Sequence, residues 1–170
     1  MKNLKSLFIA LSLLFMSSIS FAQSKVAHIA SQELVNQMPS YKQAMSDLEK
    51  LQKTYDAEIK NMLTELQATI EKYRNEESSR SQEENQKRAL ELQATEKTIA
   101  EYRQNALQDL QKKEVELLKP VIEKARVTVQ KVARAKGFQY VLDSTTGTGV
   151  IMADGYDLMN DVKSELGIKN

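Results

Sequence analysis

Two stripes of apolar side chains organise the chain. The first falls at Tyr41, Ala44, Leu48, Leu51, Tyr55, Ile59, Met62, Leu66, Ile70 and Tyr73. Its mean step is about 3.6 residues, the α-helical period. The second runs through Ile99, Tyr102, Ala106, Leu110, Leu117, Val121, Ala125, Val129 and Val132, with one turn skipped near Lys113. Between them, Arg74 to Arg88 (RNEESSRSQEENQKR) holds no hydrophobic residue. Two arrangements are open. One is a continuous helix from Tyr41 to Lys136, roughly 145 Å long. The other folds back near Ser78 to Glu83 into an antiparallel helical hairpin. Ser78, Ser79 and Ser81 favour the second, because their hydroxyls compete for backbone hydrogen bonds and cap helix ends. Folding back also lets the stripes bury each other. Each leg is then roughly 50 to 80 Å long.

Glycine and proline mark what lies outside this stretch. All five glycines (Gly137, Gly147, Gly149, Gly155, Gly167) fall near the C-terminus, and only Pro39 and Pro120 punctuate the rest. Ser40 reads as the N-cap of the first helix, and Gly137 sits where a helix C-cap belongs. Three short apolar runs read as strands: Lys25 to Ala30, Phe138 to Asp143 and Gly149 to Ala153. The third is reached through Ser144-Thr145-Thr146-Gly147-Thr148, a hairpin turn in this reading. Asp157 then caps a closing helix that ends near Leu166 and Gly167. The fold class is mostly α with a small β body, in which a helical hairpin arm (41–136) rises from segments 23–40 and 137–170. Such a body, roughly 50 residues, is smaller than a self-sufficient core. Oligomerisation, with strands of several chains pooling one core, is the remedy.

Charge and composition narrow the function. The 170 residues carry 24 basic and 23 acidic side chains, one histidine and no cysteine. Lys2 and Lys5 precede an apolar run from Leu7 to Met16, then Ser20 and Ala22 occupy the −3 and −1 positions of a cleavage site. Residues 1–22 thus read as a secretory signal peptide, with a retained anchor as the alternative. The ten residues from Leu7 to Met16, nine of them apolar, span only about half a bilayer core. Removing the two lysines leaves 22 basic against 23 acidic residues, a net charge of −1. A polyanion-gripping surface is therefore not expected, and no nucleic-acid partner is assigned.

Catalytic and metal chemistry find little purchase. Disulfides, thiolate metal sites and cysteine nucleophiles need cysteine. The carboxylates lie on polar helix faces among lysine, arginine and glutamine, where they are solvated. His28 stands alone in a strand, and Thr146-Gly147-Thr148-Gly149 lacks the lysine and following helix of a phosphate loop. No enzyme activity, metal or cofactor is assigned. Tyr55, Met62, Leu66, Ile70, Tyr73 and Tyr102 lie along the legs with little core behind them. A seam between the legs and a face for partner segments are both open for these positions.

Three stretches carry a resemblance over essentially the whole chain beyond residue 22. KVAHIASQELVNQMPSYKQA (Lys25 to Ala44) is similar to the strand, short helix and Pro-x-Tyr arm start of the periplasmic Skp/OmpH chaperone family. LLKPVIEKARVTVQKVARAKGFQYVLDS (Leu117 to Ser144) resembles its returning arm and strand, and YDLMNDVKSEL (Tyr156 to Leu166) its closing helix. The resemblance implies a homotrimer whose strands form a β-barrel hub, to which Val26, His28, Ile29, Phe138, Tyr140, Leu142, Val150 and Met152 are assigned. It further implies an ATP-independent periplasmic holdase for unfolded outer-membrane β-barrel proteins. Tyr55, Met62, Leu66, Ile70, Tyr73 and Tyr102 are then the client-binding arm face. A weak lipopolysaccharide or membrane-surface contact would fall near Lys112-Lys113, which matches a family basic pair loosely. Two departures stand out: Ala30 where an acidic or amide residue is expected, and a charge near zero where family members are basic. The rival reading is a straight coiled-coil protein bridging envelope layers.

Overall fold

The computed structural model describes residues 25–168, so the signal peptide expected over residues 1–22 lies outside the described residues. The chain runs β1 (Val26–Ile29), α1 (Ser31–Gln37), α2 (Pro39–Glu76), a 3-10 turn (Glu77–Ser79), α3 (Gln82–Ala135), β2 (Tyr140–Asp143), β3 (Tyr156–Asp157) and α4 (Met159–Glu165). It is mostly helical, with one small sheet.

The two long helices follow from the uninterrupted 3.6-residue stripes. α2 has 38 residues and α3 has 54, so they extend about 57 and 81 Å. Pro39 opens α2, where its fixed φ suits a helix and its missing N–H is not needed. The N-cap is therefore Met38, not Ser40 as the sequence suggested. At the far end the Ser81 hydroxyl accepts the Glu84 N–H at 3.2 Å and starts α3. Contacts between the helices ascend along α2 as they descend along α3: Tyr55 meets Asp109, Glu58 meets Tyr102, Tyr73 meets Glu91 and Glu76 meets Arg88. Pro120 lies inside α3 and cannot donate to the carbonyl one turn back. α3 ends at Ala135 with Lys136 as its C-cap, and Gly137 takes φ +75°, the left-handed conformation that closes a helix at little cost to glycine.

The sheet differs from the expected one. Its order is β2-β1-β3, and both neighbours run parallel to β1. Val26 stands beside Tyr140, and His28 beside both Leu142 and Asp157. It is an open three-stranded sheet, not a closed barrel. Gly149 to Ala153 forms no strand. Gly147 and Gly149, at φ +92° and +90°, turn the chain away, and pairing resumes only at Tyr156–Asp157. The Ser144–Thr148 segment is thus a loop between two strands that both flank β1, rather than a hairpin turn. Asp157 does accept the Met159 N–H at 2.8 Å, but the N-cap of α4 is Leu158.

The core joins this sheet to the root of the arm. Ala27 and Ile29 of β1 pack with Leu34, Val35, Met38, Val121, Ala125, Val132, Ala133, Leu158 and Val162. Leu34, Met38, Leu158 and Val162 are the largest side chains fully withdrawn from solvent. Across the sheet, α1 begins without a cap of its own, because Ala30 has no side-chain acceptor. Asp143, at the end of β2, supplies one. Its carboxylate accepts the Ser31 N–H at 3.1 Å, the Ser31 hydroxyl, the Thr145 N–H at 3.0 Å and the Thr145 hydroxyl at 2.6 Å. Burial alone would raise its pKa; the hydrogen bonds from Ser31 and Thr145 prevail and hold it at about 2.

Candidate functional site: the arm and the open sheet face

Three tyrosines stitch the arm together. The Tyr55 hydroxyl donates to Asp109 at 2.8 Å and the Tyr73 hydroxyl to Glu91 at 2.9 Å. The Tyr102 hydroxyl donates to Glu58. The bond to Glu58 is the chief cause that pushes the Tyr102 phenol up to about 12, since ionising it would set two negative charges side by side. Hydrogen bonds to Asp109 and Glu91 raise Tyr55 and Tyr73 in the same way. The Tyr55 and Tyr102 rings meet edge to face, 6.1 Å between centroids. Near the tip the Arg88 guanidinium lies 4.5 Å from the Tyr73 ring centre and 2.8 Å from Glu76. Hydrogen bonding from Arg88 is the main reason the Glu76 carboxyl lies below its ordinary range.

These contacts locate the residues singled out for the arm. Leu66 is buried, and Tyr55, Met62, Ile70, Tyr73 and Tyr102 are half-buried. The three tyrosines face the opposite helix, so their amphipathic rings serve the seam. The aliphatic side chains left in solvent are others: Met45, Leu63, Leu90, Leu107, Val115, Ile122 and Val127.

The sheet separates the eight hub candidates. Val26, Tyr140 and Leu142 are exposed at 43%, 60% and 46%, and pairing sets Val26 beside Tyr140 on one face. His28 lies between them. Its Nε2 donates to the Gly155 carbonyl at 3.2 Å, and its Nδ1 is 3.2 Å from the Ser144 hydroxyl. Met152 and its neighbour Ile151 stand free at 76% and 102% exposure, whereas Val150 is half-buried. Ile29 and Phe138 belong to the opposite side: Ile29 is a core residue, and Phe138 packs against that core. Among the described residues no helix is long and apolar enough to cross a membrane.

This architecture coincides with a sequence match. The family model of the OmpH-like outer membrane proteins covers residues 25–166. The chain belongs to the OmpH-like family. It is similar in fold to a candidate OmpH-like outer membrane chaperone from Caulobacter crescentus, with 20% identity, a TM-score of 0.76 and 85% of each chain covered. No match is found among curated proteins.

Two clefts among the described residues of this OmpH-like chain adjoin the lower arm and the root. One, of about 700 Å³, lies between the lower parts of α2 and α3 and is lined by Tyr41, Met45, Leu48, Leu107 and Leu110. The other, about 720 Å³, lies at the root between α1, α3 and the sheet, with Leu118, Ile122, Val129, Phe138 and Val141 on its walls. Tyr41 lines both. Leu107, Val115 and Ile122 did not enter the sequence reading because they lie off the dominant α3 stripe. The signal that finds them is a second apolar series, Leu107, Val115, Leu118 and Ile122, offset from the first.

Proposed function

We propose that residues 23–170 form an ATP-independent periplasmic holdase that keeps unfolded outer-membrane β-barrel proteins from aggregating. The arm carries this reading. It spans tens of ångströms with few buried residues of its own (Ala44, Leu66, Ile99 and Ala106), yet it shows a set of large aliphatic side chains to solvent. In this reading those side chains are the contact surface for client segments. Membership of the OmpH-like family and the likeness to a candidate outer membrane chaperone support the same role. Without nucleotide, release must come from many weak contacts that exchange singly while holding collectively.

In this proposal the chain works as a homotrimer. The open sheet face bearing Val26, Tyr140 and Leu142, together with the projecting Ile151 and Met152, pools with two other copies into a barrel-like hub. Three antiparallel hairpin arms then enclose a client cavity. A lipopolysaccharide or membrane-surface contact through Lys112 and Lys113 is the lesser part, since both lysines already approach Glu116, at 3.9 and 2.9 Å. Neither catalysis nor a cofactor belongs to the proposal.

Dilution of a urea-denatured β-barrel protein into buffer with the mature chain, without nucleotide, tests the reading by light scattering. Suppressed aggregation near stoichiometric trimer is expected, with a native mass of three chains. Unchanged aggregation at a several-fold excess refutes the holdase, and a folded monomer at micromolar concentration refutes the hub.

A further inference from the structure

We infer that the uncharged flank of α3 from Ala100 to Ile122 is the track on which one extended apolar strand of a client lies; this rests on the holdase reading and assigns its contact residues. Positions 100, 104, 107, 111, 115, 118 and 122 step by three or four residues and form a single helical stripe. Its occupants are Ala100, Gln104, Leu107, Gln111, Val115, Leu118 and Ile122. None is charged, in a chain where 28% of residues are. Leu107, Val115 and Ile122 are 62%, 63% and 53% exposed. The stripe lies about 140° round the helix from the seam positions, so the seam does not consume it.

The stripe is continuous with both clefts. Leu107 and Gln111 form a wall of the lower-arm cleft, while Leu118 and Ile122 form a wall of the root cleft that reaches Phe138 and Val141. The stripe thus leads from the lower-arm cleft at Leu107 and Gln111 to the root cleft at Leu118 and Ile122, with Val115 between them.

Chemistry and length choose the occupant. An anionic lipid or nucleic acid needs a stripe of one sign. Here the flanks are mixed, with Lys112 and Lys119 on one side and Arg103 and Glu114 on the other, and the stripe itself is neutral. Glutamine amides can hydrogen-bond the unpaired N–H and C=O groups of an extended chain, while Leu107, Val115 and Ile122 meet its apolar side chains. From residue 100 to 122 the helix rises about 33 Å, the length of roughly ten extended residues. A membrane-spanning β-strand has about that many, with one apolar face.

Photo-crosslinking tests the assignment. A photoreactive residue replaces Val115 in one mature chain and Lys53, an exposed position on α2, in another. Each is mixed with a denatured β-barrel protein and with a ten-residue peptide alternating valine and serine. Crosslinks to client and peptide at position 115, several-fold above those at 53, are expected. Val115→Glu should weaken aggregation protection about tenfold at unchanged helix content and native mass, with Leu107→Gln as a milder second variant. Equal crosslinking at both positions, with wild-type protection intact, overturns the track and leaves the holdase standing. Crosslinks at 115 between two copies of the chain, or to phosphatidylglycerol vesicles in place of client, also overturn it. Absence of protection by the wild type removes both readings.

Discussion

Replacing Asp143 with asparagine tests how the body holds its own first helix. The half-buried carboxylate accepts four hydrogen bonds from Ser31 and Thr145. Asparagine offers one acceptor oxygen and turns donors toward N–H groups that are themselves donors. The Asp143 pKa falls from 3.8 to about 2 on folding. A fully shielded group would convert that difference into about 2.4 kcal/mol. Partial exposure to water reduces the figure to about 1–2 kcal/mol. The sign follows from the depressed pKa: the stabilisation is complete above pH 3.8 and disappears as pH falls through about 2. The assay is urea unfolding of wild type and Asp143→Asn at equal chain concentration, because the proposed trimer would couple stability to concentration. Wild type should exceed the variant by about 1–2 kcal/mol at pH 7, and by about half of that at pH 3. A difference constant from pH 7 to pH 3, or none at pH 7, would refute the capping argument.

Three further perturbations address other parts of the molecule. Leu158→Ala removes a fully buried side chain from the root core and should cost about 2–4 kcal/mol in urea unfolding. Gly137→Ala meets nothing within 4 Å but must adopt φ +75°, so the cost should be about 1 kcal/mol, read as a melting temperature lowered by a few degrees. Arg88→Met deletes the pairing to Glu76 and Glu84 and the stack on Tyr73. Amide exchange should accelerate around residues 73–92 while amides near Tyr55 stay protected; uniform loss along the arm would contradict a tip-local role.

Local signals made most of the helical pattern legible. The glycine-free run, the charged stretch around residue 80 and Gly137 each act within a few residues, and those are the interactions a sequence displays. The body depended on partners far away. Ala30 leaves α1 uncapped until Asp143, 112 residues from Ser31, supplies the acceptor. The GVIMA run has the composition of a strand, yet Gly147 and Gly149 steer it past β1, and the pairing falls to the less apolar Tyr156–Asp157. The arm tyrosines could not be placed from spacing alone, because an amphipathic ring suits a seam or a binding face equally; the carboxylates at Glu58, Glu91 and Asp109 decide it. The exposed series on α3 was masked by the stronger stripe beside it.

Strands β1 and β2 are immediate neighbours in register although the entire arm lies between them along the chain. The arm is therefore an insertion between two adjacent strands of the body, joined to it at two neighbouring points. Matched turns could be trimmed from α2 and α3, or added to them, without moving any residue of the root. Reach is adjustable here much as a caliper's is, with the span set by leg length and the pivot left intact, so arm length and folding stability can evolve under separate pressures.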